Sequence, residues 1–561
     1  MNWKLPKFLA KADWLETQQT SILSAAAVIT VANIISSLSG LLRQRILIGS
    51  FFQSPVSQQA YEALLVAFQI PDLMFQLIII GAISAAFIPI FTGLRKTNEE
   101  AAFTMSSIVM NILMAVFVVV ALVVFIFAEQ ITEWRTGDAF THEQILIASN
   151  LTRIMLVAQM FFAVSNFLSG MLQSYQRFVI PSIAPIFYNL GILLGVYLFE
   201  PYLGIYSAGV GVIIGAFLHM AIQVPLAYKL GFRFRVSFNL NHVGVKQLFK
   251  LMPPRVFTQA IAEIQDIALG FFATSLGNLS FVIIRLGMTL MTIPIRLFGV
   301  PISQASLPFL SEESDEKELT RFRNLVVDSL HQIAFLAMPA SILLLILRVP
   351  IVRLVFGTQN FPWTTTVSTA RVVAIIAISI AAQGMTQLLT RAFYAVKDTK
   401  TPLFITIISQ LVFVAICAVS VFLTPWAIYG IAVAVAVSAL LEFVLLITLL
   451  NRKIYGFLDK SFWIPQFKMV ITSFLMAVFL YLPFRILDEV VFNTSRTLEL
   501  IALTVITSTI GMLVYIYFAM LLEIKELRLF LKLTNSFGRW RQPLSETKEA
   551  INDTSLEDGE I

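Results

Sequence analysis

Apolar positions in this chain come in long blocks, not in the short alternations of a soluble domain. Apolar stretches near or above the roughly 20 residues that span a bilayer as a helix run at about 21–49, 60–93, 102–128, 146–172, 181–199, 205–228, 249–274, 279–309, 327–348, 368–395, 402–423, 427–450, 467–485 and 499–523. They predict fourteen spans. Ahead of them, Phe8, Leu9, Ala12 and Leu15 recur at helical spacing among Lys4, Lys7, Lys11, Asp13 and Glu16. That pattern predicts an interfacial helix over 1–20, since a cleaved signal would need an unbroken apolar core. Beyond about residue 534 the periodicity ends and Glu546, Glu549, Asp553, Glu557, Asp558 and Glu560 accumulate, as in a disordered tail.

The blocks also repeat at long range. Residues 384–402, Gly-Met-Thr-Gln-Leu-Leu-Thr-Arg-Ala-Phe-Tyr-Ala-Val-Lys-Asp-Thr-Lys-Thr-Pro, join two apolar helices through an aromatic pair, a charged turn and a proline at a tolerated first-turn position. About 220 residues earlier, Gly170-Met-Leu-Gln-Ser-Tyr-Gln-Arg-Phe-Val-Ile-Pro181 does the same. An echo of this period predicts two related halves about a pseudo-twofold axis. The expected fold is therefore all-α and polytopic: an interfacial helix (1–20), a first six-helix lobe (21–230), a second (246–451), two extra spans (466–525) and a cytoplasmic tail (526–561).

Composition agrees. The chain is 58% hydrophobic and 13% charged with a mean hydropathy of +0.84, against about 25% charged for soluble domains. The sole cysteine, Cys417, lies in an apolar run and excludes an intrachain disulfide. Four histidines without metal spacing and no Gly-rich lysine loop indicate neither a zinc site nor an ATPase. No cofactor is expected, and any energy would come from membrane potential, H+ or Na+. The net charge of +6 sits in short loops and reads as a topology signal, not as a nucleic-acid footprint. Lys229, Arg233, Arg235, Lys246 and Lys250 follow span six, and Arg452, Lys453 and Lys460 follow span twelve. Glu129, Glu133, Asp138 and Glu143 oppose Arg135 alone after span three. Both termini are expected in the cytoplasm.

Four spans break the apolar pattern, each on one helical face. Span one carries Asn33, Ser37, Gly40 and Gln44 beside Arg43 and Arg45; span two Glu62, Gln69, Asp72 and Gln76; span seven Arg255, Gln259, Glu263 and Asp266; span eight Arg285, Thr289, Thr292 and Arg296. A charge facing lipid near the bilayer centre costs at least about 2.5 kcal/mol, so these faces predict a hydrophilic cavity between the lobes. The alternative is that charges near helix ends, Arg43, Arg45 and Arg255 among them, snorkel to headgroups. Pro71, Pro253, Pro254, Pro294 and Pro301 would loosen the lining helices, or simply kink them.

Arg391-Ala-Phe-Tyr-Ala-Val-Lys-Asp-Thr-Lys-Thr-Pro402 resembles the Phe-Tyr-Ala-x-x-Asp-Thr-x-Thr-Pro signature of the lipid II flippase family. Further resemblances follow in family order: Val66-Ala-Phe-Gln-Ile-Pro71, Ala85-Ala-Phe-Ile-Pro89, Arg177-Phe-Val-Ile-Pro-Ser-Ile-Ala-Pro185 with Asn189, Leu251-Met-Pro-Pro-Arg255, Leu307-Pro-Phe-Leu-Ser311 and Val352-Arg-Leu-Val-Phe356. The resemblance implies a two-lobed transporter of the multidrug, oligosaccharidyl-lipid and polysaccharide exporter superfamily in the bacterial inner membrane. Its partners would be an undecaprenyl-diphosphate-linked peptidoglycan precursor, membrane lipids and other cell-wall synthesis proteins. Spans thirteen and fourteen would form a groove for the lipid tail, and no catalysis is involved.

A diphosphate suits guanidinium, which stays charged and offers forked donors. The expected substrate-binding residues are accordingly Arg43, Glu62, Arg255, Arg285, Thr289 and Arg296. Glu263 and Asp266 are candidates for ion coupling or for a structural ion-pair network. The chain departs from the family in several places: Gln44 replaces the acid after the first-span arginine, Phe75 and Gln76 replace paired arginines, and Gly287-Met-Thr-Leu290 replaces Ala-Asp-Arg-Leu. Two other readings stay open, a flippase for another lipid-linked oligosaccharide and a cation-coupled exporter relying on Glu62, Glu263 and Asp266.

Overall fold

The computed structural model describes residues 22–80, 87–313, 320–454, 456–492 and 496–528, and every regular element among them is a helix. The first half runs α1 (Ile22–Phe51), α2 (Pro55–Phe75), α3 (Ile88–Thr97), α4 (Glu99–Ile126), α5 (Ala128–Arg135), α6 (His142–Ser174), α7 (Val179–Leu203), α8 (Tyr206–Ala221) and α9 (Val224–Lys229). The second runs α10 (Val243–Leu276), α11 (Ser280–Pro294), α12 (Val300–Glu313), α13 (Thr320–Ile346), α14 (Arg348–Phe356), α15 (Trp363–Ala377), α16 (Ile380–Ala395), α17 (Lys400–Phe422) and α18 (Ala427–Lys453). Two more helices, α19 (Lys460–Ile486) and α20 (Thr497–Leu521), pair with each other and pack on α13. The expected interfacial helix and the acidic tail lie outside the described residues.

Among the described residues, eleven segments are long and apolar enough to cross a membrane, and α15 with α16, bent by 46° to one another, makes a twelfth. The expected fourteen is not reached on that measure. The other two expected spans correspond to α1 and α10, which have the length, 30 and 34 residues. Span two starts earlier than its apolar run because Ser54 and Ser57 form a reciprocal capping box and Pro55 takes the first helical position.

The repeat is visible in bond-level detail. The turn after α6 has Gln176 at φ 58°, with Gln176 N–H donating to Gln173 O and Arg177 N–H to Leu172 O, both at 2.9 Å. The turn after α16 has Lys397 at φ 61°, with Lys397 N–H donating to Tyr394 O (3.0 Å) and Asp398 N–H to Phe393 O (2.9 Å). Each partner of one turn lies 221 positions from its counterpart, as 397 does from 176. Both turns close their helices by the same left-handed C-terminal motif. The second spans match as well: π-helical turns over Gln76–Ile80 and Ile295–Gly299 follow Pro71 and Pro294. Proline removes a ladder bond and crowds the carbonyl four residues back, which favours such loosening.

Small residues set the tightest helix pair. A Cβ on Gly191 of α7 would fall 2.3 Å from Cα of Gly215 on α8, and one on Gly195 would fall 2.2 Å from Cα of Gly211. Lipid offers no hydrophobic drive for helix association, so close backbone contact of this kind holds such pairs.

The halves share their largest core at one end. Phe52, Tyr61, Leu64 and Ala148 pack in one buried cluster with Phe281, Ile284 and Phe356. Toward the other end the buried residues fall into separate clusters, one around Phe91, Met105 and Met171 with the start of α10, the other around Phe322, Phe393 and Met469. The two lobes thus meet like a closed hinge, with space between them below it.

Candidate functional site

A cavity of about 330 Å³ occupies that space, lined from α1 by Ser36, Ser37, Gly40, Arg43 and Gln44, from α7 by Tyr188 and Asn189, and from α11 by Thr289 and Thr292, with Arg296 just beyond. Both lobes contribute. Arg43 Nη1 donates to Asn189 Oδ1 at 3.0 Å, and Asn189 Nδ2 donates to Ser39 Oγ at 2.8 Å, so span five positions the span-one guanidinium. The Arg43 guanidinium also lies 5.8 Å from the Tyr188 ring centre. Its Nε is buried without a hydrogen-bond partner. Thr289 and Thr292 spend their hydroxyl protons on Arg285 O (2.8 Å) and Met288 O (2.6 Å) of their own helix. Neither Arg43 nor Arg296 has a carboxylate partner among the described residues. Two guanidiniums without counter-charge on one cavity make a site for a multivalent anion.

Of the six expected substrate-binding residues, the structure brings Arg43, Thr289 and Arg296 together on this wall. Arg285 is engaged elsewhere: its Nη1 and Nη2 donate to Asp266 Oδ1 and Oδ2 at 2.5 and 3.2 Å, a forked pair between α11 and α10. Glu62 does not line the cavity either. It is 3% exposed, and its two carboxylate oxygens accept from Phe281 N–H and Gln144 Nε2, each at 3.1 Å. Arg255 lies on α10, and its side chain is outside the described part. Glu263 accepts from Gln259 Nε2 at 2.9 Å, one turn away on the same helix.

These residues belong to a seal across the closed end. Gln69 Nε2 donates to Asp266 O and Oδ2 at 2.8 and 2.9 Å, while Arg135 donates to Gln69 Oε1 at 2.6 Å and to Val66 O. Burial lowers the Arg135 guanidinium to about 10, with Asp266 opposing that shift and Arg285 adding to it, so it stays charged at neutral pH. Gly137 N–H donates to Thr274 Oγ1 at 2.9 Å, and a Cβ on Gly137 would fall 2.3 Å from Cα of Ser275. Arg45 donates to Leu354 O and Asn360 Nδ2 to Gly49 O, the latter at 3.3 Å. The sequence pointed to Asp266, Gln69 and Glu62 as membrane-embedded polar residues but not to their seal. Arg135 carried one signal, as the lone base of an acidic loop.

The signature turn is structural. Asp398 Oδ1 accepts the Lys400 and Thr401 amides at 3.1 and 3.0 Å, and Oδ2 accepts from Thr401 Oγ1 at 2.6 Å and from Lys453 Nζ. Burial pushes the carboxyl up, but these donors outweigh it and hold it down to about 2. The aspartate caps α17 and ties it to the end of α18.

Comparison with known proteins agrees with this architecture. The family model described as lipid II flippase MurJ matches residues 56–501. A probable lipid II flippase MurJ of Bdellovibrio bacteriovorus is 25% identical over 516 residues, covering 91% of this chain and 96% of that protein. The lipid II flippase MurJ of Burkholderia cenocepacia is 28% identical over 451 residues, 76% of this chain and 84% of that one. Among solved structures, a lipid II flippase MurJ in an inward closed conformation superposes with a TM-score of 0.71 at 20% identity, covering 88% of this chain and 98% of that chain. An inward-facing multidrug resistance MATE family transporter of the MOP superfamily gives 0.61 at 13% identity, over 78% of this chain and 99% of that chain. Matched by its family model from Val56, at the start of α2, to Ile501 in α20, and sharing the two-lobed fold, the chain belongs to the MurJ family of lipid II flippases.

Proposed function

We propose that this protein moves lipid II, the undecaprenyl-diphosphate-linked peptidoglycan precursor, across the cytoplasmic membrane by alternating access, without covalent chemistry. The observation that carries the reading is the pair Arg43 and Arg296, unpaired by acids among the described residues and lining one cavity between lobes sealed at one end. The diphosphate would enter between these guanidiniums, with Thr289 and Asn189 beside it. The basic loops after α9 and α18 support a reading in which the open end and both termini face the cytoplasm. The seal would then face outward, and the cavity would load from the cytoplasmic leaflet.

The acids fit a gating role better than a cation-export role. Glu62 holds the far lobe, and Asp266 is neutralised by Arg285, so neither offers the cavity a free carboxylate. The α19–α20 pair would hold the lipid tail, and the driving force would be the membrane potential, H+ or Na+. Complementation tests the whole reading. Expression of this chain in a bacterium depleted of its own flippase should restore growth, and Arg43→Ala with Arg296→Ala should abolish that rescue at equal membrane abundance. Growth unchanged by the double variant would remove the cavity from the mechanism.

A further inference from the structure

A second cleft of about 300 Å³ opens at the end that carries the basic loop, lined by Glu99, Glu100, Phe103, Thr104, Arg233 and Arg235 with Leu230 and Gly231. It shares no residue with the cavity between the lobes. Its charged lining is balanced, two carboxylates and two guanidiniums, with the acids on α4 and the bases on the segment after α9. Arg233 is held in place, stacked 3.4 Å from the Tyr228 ring centre and donating to Tyr228 O and Phe232 O at 2.7 and 2.9 Å. Arg235 meets Glu100 at 3.0 Å with the two side chains 60% and 72% exposed, a pair weak enough to open for a ligand.

The cleft sits at the boundary of the hydrocarbon. No charged residue occurs between Glu100 and Glu129, so α4 enters the membrane directly beyond the two acids. The chain after Arg233 has no regular secondary structure and lies along α4. Asn111 Nδ2 donates to Arg235 O and Ser237 O at 2.9 and 3.1 Å, and Arg235 N–H donates to Ser107 Oγ. Ser107 and Asn111 lie roughly 10 to 16 Å along the helix from Glu100 at 1.5 Å per residue. Phe234, Val236, Phe238 and Leu240, alternating at period two, are all more than half exposed along this segment. A polar cleft with an adjoining apolar strip has the form of a headgroup site with room for acyl chains.

We propose that this cleft binds a phospholipid whose headgroup joins a phosphate to a primary ammonium, as in phosphatidylethanolamine. Arg233 and Arg235 take the phosphate by forked charge-assisted bonds, and Glu99 and Glu100 take the ammonium, which has three protons to donate. Phosphatidylglycerol fills the basic half and leaves the carboxylates repelled. Phosphatidylcholine carries a charge without N–H donors. The site lies outside the transport cavity, so the inference stands apart from the transport reading.

Native mass spectrometry of the purified full-length protein, offered equal amounts of the three lipids with the same acyl chains, tests this. Phosphatidylethanolamine should be retained over either rival by roughly fivefold, the worth of one exposed charge pair. Glu99→Gln with Glu100→Gln should level it with phosphatidylglycerol, and Arg233→Gln with Arg235→Gln should lower all three. Wild-type retention of phosphatidylglycerol equal to or above phosphatidylethanolamine would overturn the proposal and depends on no variant folding. Displacement by excess free phosphoethanolamine would instead assign the cleft to a soluble ligand and overturn the lipid assignment.

Discussion

The Glu62 carboxylate in the second span accepts the backbone amide of Phe281, 219 residues later and in the other lobe, at 3.1 Å. Phe281 is the second residue of α11, where amides have no partner within the helix. Glu62 therefore acts as a cap supplied from the opposite lobe. Because a buried unpaired amide costs about 1–3 kcal/mol, Glu62→Ala should shift the protein toward a state open at this end. Spin labels at Ser54 and Asn278, on the two sides of the seal, should report longer distances in Glu62→Ala and near wild-type distances in Glu62→Gln, which keeps an acceptor. Unchanged distances in the alanine variant would show that the cap does not hold the lobes.

The forked Arg285–Asp266 pair yields a prediction of opposite kind. Removing one member of such a pair strands the other's charge, whereas removing both leaves a neutral site. Arg285→Met should lower thermal stability in detergent, and adding Asp266→Asn should recover part of the loss. The recovery will be incomplete because Asp266 also accepts from Gln69. A double variant less stable than Arg285→Met alone would mean that Asp266 is held by Gln69 and not by the ion pair.

How far the sequence reveals this molecule depends on the range of each interaction. Arg43, Thr289 and Arg296 were legible because a polar face on an apolar helix has one economical destination, an interior cavity. The repeat was legible because both halves keep the same turn residues around Gln176 and Lys397. Glu62 and Arg285 share the same helical faces as those residues, yet they serve the seal. That division depends on where the lobes touch along each face, and periodicity carries no such information. The glycine contact between α7 and α8 escaped for a related reason: four glycines at helical spacing matter only once the two helices are known to cross there.

The signature turn should titrate. Asp398 has its carboxyl held down to about 2 in the fold, against about 3.9 for an ordinary aspartate. A depressed folded pKa contributes stability that is present above about pH 4 and is lost as pH falls through about 2. Asp398→Asn should therefore be less stable than wild type at pH 7, and the gap in melting temperature should narrow steadily below pH 4. A gap that stays constant down to pH 2 would show that the Lys453 and Thr401 contacts do not favour the ionised form.

The α7–α8 contact tolerates no side chain. Gly195→Ala would bring its Cβ to 2.2 Å from the Gly211 backbone, and only helix separation relieves that. Since this pair buttresses Tyr188 and Asn189, the variant should lose stability and weaken substrate binding together. Gly93→Ala, where a Cβ meets nothing within 4 Å, is the matched control and should behave as wild type. Equal melting temperatures for the two variants would refute the close-packing argument.

Arg43 and Arg296 carry the most exposed prediction. A guanidinium makes two parallel bonds to phosphate oxygens, whereas an ammonium is a point charge with a tighter hydration shell to shed. Arg43 also uses Nη1 on Asn189, so lysine at this position loses both the fork and the positioning contact. Truncating a buried charged partner typically costs about 2–5 kcal/mol in recognition, and the half-open cavity should place these residues near the lower figure. Arg43→Lys and Arg296→Lys should each weaken lipid II retention in native mass spectrometry, and the alanine variants should weaken it further. Asn189→Ala, which frees Arg43 without removing its charge, should fall between wild type and Arg43→Lys. Binding of the same headgroup with a monophosphate in place of the diphosphate should be less sensitive to all of these changes, because it offers the two arginines fewer charged oxygens. If the Arg43→Ala, Arg296→Ala double variant retains lipid II like wild type, the diphosphate is held elsewhere, and the unpaired guanidiniums of this cavity serve some other anion.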